Sequence, residues 1–256
     1  MDFLRNKFKR LKSYVRVIRY SYYTLVFNFY YLPFKQAIKF PFIFYNSAEF
    51  SSLKGTVKLT DKIRPGMVIF GLPNNPMFQK NLKFIWHNNG GECKFGQGVG
   101  FHQGCAIRIE QSGRLEFQRN ISIVSNSKFV CAKSIFIGEN TIISWDVLIM
   151  DTDSHPIYDL EKQSLKKIHD SIIINQNCWI GTRSIILKGT ELPPHTILAA
   201  NSLANKKYNI DPFSLIAGNP AKLKSNKLSR LENDMISDES IKKSIDAFNE
   251  SKNRPN

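Results

Sequence analysis

The sequence predicts an all-β solenoid: a parallel coil with three flat faces, preceded by a helical N-terminal extension and followed by a short C-terminal helix. Two runs of residues predict it. An aliphatic residue or alanine recurs every six positions at Ile174, Ile180, Ile186, Leu192, Leu198 and Ala204, with hexads INQNCW, IGTRSI, ILKGTE, LPPHTI and LAANSL. The same spacing holds at Ile137, Ile143 and Ile149, through IGENTI, ISWDVL and IMDTDS. A period of six suits neither an amphipathic helix, at about 3.6, nor an alternating strand, at about 2. It suits a triangular coil in which each hexad makes one face, the aliphatic residue points inward, and Gly138, Asn140, Asn177 and Gly181 lie near corners. Three hexads close one turn, so equivalent positions recur with every third hexad and stacked turns bury a continuous column of side chains.

Upstream the register loosens. Residues 90–128 are rich in Gly and short aliphatic alternation, as expected of earlier coils whose hexads slip, and 55–75 reads as an entry strand pair. Between the two clean ladders, DTDSHPIYDLEKQSLKKIHDS breaks the period. A solenoid absorbs such an insertion by extruding it from a corner, where loops carry function. The chain thus divides into a basic aromatic helical segment at 1–50, a coil at 51–225 with an extruded loop at 151–173, and a helix and tail at 226–256.

Composition bounds the partners. The 256 residues carry a net charge of +15, from 36 Lys and Arg against 21 Asp and Glu. That balance favours anionic partners, among them phosphorylated ligands, and no nucleic-acid motif accompanies it. Cys93, Cys105, Cys131 and Cys178 are scattered with no CxxC, which reads as buried reduced thiols and fits a cytoplasmic setting. Residues 1–19 are basic and amphipathic, and an uncharged aromatic run follows from Tyr20 to Phe34. That run is short of the roughly 20 residues a membrane span needs, and no signal-peptide cleavage site follows it. Two readings stand for residues 1–45: peripheral contact with the inner face of a membrane, or packing on the main domain or a neighbouring subunit.

The combination DTDSHP, a loop, CWIG, a small-residue hexad and AGNPAK resembles the hexapeptide-repeat acyltransferases, in the branch of galactoside, maltose and surface-polysaccharide O-acetyltransferases. The resemblance covers about residues 90–225, most tightly 137–225. It implies a left-handed parallel β-helix, a homotrimer with active sites between adjacent coils, and acetyl-CoA as co-substrate with no metal. It places the general base at His155, in SHP. A hydroxyl attacking a thioester needs a base to hold its proton, a task suited to histidine, whose ordinary pKa is about 6.5. Such an imidazole works best with its other nitrogen fixed. Asp153, Asp151 and Asp146 compete for that role, with Asp153 favoured.

For the donor, the resemblance carries over to Thr182 after WIG and to Ala200, which lies three hexads on and so on the same face one turn up. Asn205 and Lys206 match a Thr-Lys pair near the adenosine end, with Asn205 departing from the pattern, and Lys222 in GNPAK meets the nucleotide phosphates. Asn126, Trp145 and Asp146 precede the loop in the region that would take a sugar acceptor. His87, His102, His169 and His195 sit in unlike contexts, and their spacing does not make the three-histidine zinc site of the carbonic anhydrases that share this fold. The reading is therefore transfer of an acetyl group to a sugar hydroxyl in cell-surface polysaccharide synthesis. N-acetylation of a sugar nucleotide or other small molecule, and a non-enzymatic assembly scaffold, are the alternatives.

Overall fold

One inward aliphatic per hexad leaves two or three residues to extend and the rest to turn. The computed structural model, which describes residues 21–73, 82–231 and 245–246, shows the chain doing this. Successive strands visit three sheets in rotation, and within each sheet the coil neighbours run parallel. Face A runs from Phe42–Phe44 through Val68–Leu72, Val99–His102, Ser122–Ile123, Ile142–Ile143, Trp179–Ile180 and Ile197–Leu198 to Leu215–Ala217. Face B begins at Ala48–Leu53 and includes Leu148–Met150, Ile185–Leu187 and Leu203–Ala204; face C begins at Thr56–Leu59 and includes Ile172–Ile174 and Glu191–Leu192. The last strand, Lys222–Ser225, turns back antiparallel on Leu215–Ala217.

The turn-to-turn register explains why period six is clear in one half only. Trp179 pairs with Ile197 and Ile185 with Leu203, each partner lying three whole hexads on. Lys128 pairs instead with Leu148, and Ala106 with Lys128, so the lower turns take up more chain than three hexads supply. In the upper turns many strands have two residues with one facing inward, as at Trp179–Ile180. In the lower turns strands of four residues, such as Arg114–Phe117, point two inward. A longer side encloses a wider cross-section, and bulky rings fill it. Phe70 stacks on Phe44 at 4.7 Å and on Phe101 at 5.2 Å, and Phe95 stacks on Phe117 at 5.4 Å, whereas Ile180, Ile186, Leu192, Leu198 and Ala204 suffice above. Dense packing requires this match between span and side-chain volume.

The coil begins at Phe42, inside the segment that the sequence assigns to the helical extension at 1–50. The extension itself forms α1 (Ser21–Tyr31) and the short α2 (Phe34–Ala37). Residues 1–20 and most of the expected C-terminal helix at 226–250 lie outside the described residues. All four cysteines are free and buried, and burial pushes the Cys105 and Cys178 thiols up to about 12.

Two corners are turned by single residues in the left-handed region. Asn120, Asn140, Asn177 and His195 turn from face C to face A; Asn126, Asp146, Arg183 and Asn201 turn from A to B. Asn tolerates this backbone better than other residues with a Cβ. Gly181 answers a different need: a Cβ there would lie 2.5 Å from the Ala200 nitrogen, so the next turn could not close over it.

Candidate active site

The period-breaking segment leaves the coil at the corner from face B to face C, between Met150 and Ile172. It is an ordered hairpin. Tyr158–Asp159 pairs antiparallel with Ser164–Leu165, and the foot is closed by a Thr152–His169 bridge and by Asp153 N–H donating to the Ile168 carbonyl at 3.0 Å.

The three aspartates weighed for His155 have separate duties. Asp151 is fully buried, and its carboxylate accepts the N–H groups of Ala132, Lys133 and Ser134 at 2.6, 2.8 and 2.7 Å. It thereby ties the root of the loop to the turn below. Asp153 accepts from the ammonium of Lys188, which also donates to the Lys167 carbonyl near the loop's far end. Asp146 lies at the corner from A to B, 3.7 Å from Arg183 Nε. His155 is exposed, and it makes no hydrogen bond among the described residues. The favoured Asp153–His155 pairing is thus not formed in the single chain; Asp153 belongs to Lys188.

Sequence reading missed Lys188, though a signal existed. It lies three hexads before Lys206, so the two stack one turn apart at the corner that carries the loop. It also underrated His169, whose Nδ1 lies 2.8 Å from Thr152 Oγ1 at the foot of the same loop.

At that root, Lys167, Lys133 and the Ser171 N–H hold the Asp170 carboxyl at about 2, below its ordinary 3.8. A depressed carboxylate contributes stability that is complete above the unfolded value and lost as pH falls through the folded one. The difference in thermal midpoint between the wild type and Asp170→Asn should therefore shrink from about pH 4 to about pH 2. A difference that stays constant over that range would remove Asp170 from the account. The group is largely solvated, so the effect is small.

The donor candidates fall in two places. Thr182 and Ala200 meet at the corner from A to B, where Asn201 N–H donates to the Thr182 carbonyl at 2.9 Å. The Gly218 turn stacks above them: Leu203 N–H donates to the Gly218 carbonyl at 2.9 Å, Gly218 N–H donates to Ser202 Oγ at 3.0 Å, and exposed Lys222 follows on the returning strand. Asn205 and Lys206 lie beyond face B toward the other corner, Lys206 with its ammonium 5.6 Å from the Tyr208 ring. Of the acceptor candidates, Asn126 and Asp146 turn the corner from A to B one above the other, with Trp145 beside them, 37% exposed. Trp179, on face A of the next turn, donates from its indole to Ser144 Oγ at 3.1 Å. His195 is not a free surface group: it stacks on Phe213 at 4.1 Å, and burial lowers its pKa. A groove of about 430 Å³ lies elsewhere, on the outside of face B between Ser51, His87, Arg108 and Lys128. Among the described residues no group of three or more His, Cys, Asp or Glu side chains could hold a metal ion.

In its three-faced parallel coil, with a histidine-bearing loop extruded at one corner and small residues stacked at the next, the chain is similar to the hexapeptide-repeat acyltransferases, and the relatives it matches in sequence are named as O-acetyltransferases. It is 26% identical over 161 residues to WbbJ of Escherichia coli K12, whose assignment as a lipopolysaccharide biosynthesis O-acetyl transferase is itself provisional; the match covers 57% of this chain and 80% of that one. It is 28% identical over 90 residues to the polysialic acid O-acetyltransferase of Escherichia coli O1:K1, covering 35% of this chain and 29% of that protein. In fold it is similar to the crystal structure of the polysialic acid O-acetyltransferase OatWY, with a TM-score of 0.50 and 19% identity over 79% of this chain and 94% of that one. No family model matches the chain.

Proposed function

We propose that this protein moves an acetyl group from acetyl-CoA to a sugar hydroxyl of a cell-surface polysaccharide or its precursor, with His155 as general base. The observation that carries this is the His155 loop, rooted at one corner of a coil whose sequence is related to surface-polysaccharide O-acetyltransferases. In the reaction the imidazole takes the hydroxyl proton as the oxygen attacks the thioester carbonyl. The carbon–sulfur bond then breaks, and the thiolate leaves as CoA after accepting that proton.

Thr182 and Ala200 supply backbone and a small surface along which an extended pantetheine can lie, and Lys222 supplies charge for phosphate. These residues and His155 occupy opposite ends of the face B strands. A homotrimer of left-handed coils resolves this separation by setting one chain's corner from A to B against its neighbour's loop. The loop tip suits such a contact, since Leu160 and Leu165 are 83% and 65% exposed. In that arrangement Asn205 and Lys206 approach the donor from the neighbouring chain, while Asn126, Trp145 and Asp146 face the acceptor.

Incubation with labelled acetyl-CoA and envelope glycans, scored by CoA release and by mass spectrometry of the glycan, is expected to give an ester on a sugar hydroxyl. Label found on an amine would move the acceptor class, and no acetyl-CoA turnover with any acceptor would overturn the reading.

A further inference from the structure

The N-terminal cap presents an unusual surface. The inner side of α1 is firmly held: Asn28 Nδ2 donates to the Phe42 carbonyl at 2.8 Å, its Oδ1 accepts Phe42 N–H at 3.2 Å, and Thr24 Oγ1 accepts Phe44 N–H at 3.0 Å. Phe27 plugs the end of the coil, with its ring 5.0 Å from those of both Phe42 and Trp86. These contacts fix the helix and so fix what its other side shows.

That side should be polar, and it is not. Tyr22, Leu25, Phe29, Tyr30 and Phe34 are 67%, 45%, 43%, 56% and 69% exposed, and no charged residue occurs from 21 to 34. A helix apolar on both sides normally has both sides covered, and a contiguous exposed aromatic patch marks a binding surface. The flanking charge identifies the occupant. Lys35 and Lys39 are exposed beside the patch, and residues 1–20 carry Arg5, Lys7, Lys9, Arg10, Lys12, Arg16 and Arg19 against the single acid Asp2. A second copy of the chain would bring two such basic segments together, whereas an anionic lipid surface accepts both the rings and the cations. Among the described residues no helix is long and apolar enough to cross a membrane, so the contact would be one of the cap lying on the surface.

We infer that the exposed aromatic face of α1 and α2, with Lys35 and Lys39 beside it, docks the protein on an anionic membrane surface. The inference stands independently of the acyl-transfer reading. Flotation of the full chain with vesicles of equal parts phosphatidylglycerol and phosphatidylcholine is expected to recover it with the lipid, and flotation with phosphatidylcholine alone is not. Phe29→Ser combined with Phe34→Ser should weaken binding by about tenfold or more, and Lys35→Glu with Lys39→Glu should weaken it in a way that added salt mimics. Both pairs are exposed, so an unchanged thermal midpoint will show that the fold is kept. Absence of binding to either vesicle overturns the inference. So does a serine variant that floats as well as the wild type, or one that changes only the solution mass, which would assign the patch to a second copy.

Discussion

Replacing His155 by alanine is expected to lower acetyl transfer by about 10²–10⁴-fold while leaving the thermal midpoint where it was. The two halves of that result come from one observation. His155 is exposed and makes no hydrogen bond among the described residues, so the fold does not depend on its ring. In the proposed role, its removal would take away the proton acceptor but leave positioning of donor and acceptor intact, so the loss should stop short of the uncatalysed rate. His169→Ala is the necessary companion. Its ring, fixed by Thr152 at the loop's foot, is the alternative base on geometric grounds. If H155A retains full activity and H169A loses it, the assignment moves to His169; if H155A falls and H169A only slackens the loop, it stands.

Asp151→Ala should give the opposite pattern, a large loss of stability. Its carboxylate is the shared acceptor for three consecutive N–H groups, and the residue is fully buried. Truncation strands those donors in the coil wall, where each unsatisfied group costs about 1–3 kcal/mol. A total of about 3–5 kcal/mol is expected, lowering the thermal midpoint on the order of 10 °C for a chain of this size. Asp151→Asn recovers only part of this, because the amide nitrogen must face N–H groups that need an acceptor. A midpoint unchanged in both variants would show that water replaces the carboxylate and that the loop root is not anchored there.

These two aspects were unequally legible in the sequence. The spacing from Ile174 to Ala204 gave the upper turns directly, and it placed Thr182 beneath Ala200 because a turn of three hexads leaves no other register. Lower turns resisted, since strands with two inward residues, such as Glu92–Phe95 and Arg114–Phe117, imitate ordinary alternation and lengthen the repeat beyond three hexads. The beginning of the coil at Phe42 was hidden for the same reason, among aromatic residues that also line α1. At the loop, the break in period marked the segment, and the resemblance singled out His155 within it. Which aspartate did what could not be read, because Asp151, Asp153 and Lys188 are sorted by corner stacking rather than by nearness along the chain.

The stacking of turns also sets a length. Along face B the strand that launches the His155 loop is the fifth, four steps above Ala48–Leu53. Neighbouring strands are about 4.8 Å apart, so the corner that carries the His155 loop stands roughly 20 Å from the first turn, which α1 caps. If the cap rests on lipid and the acceptor is a glycan, as proposed, the coil would act as a ruler, reaching sugars at one height above the bilayer and passing over those nearer the anchor. Inserting or deleting one turn below the loop would shift the modified unit along the glycan in steps of about 4.8 Å, without touching a residue of the site.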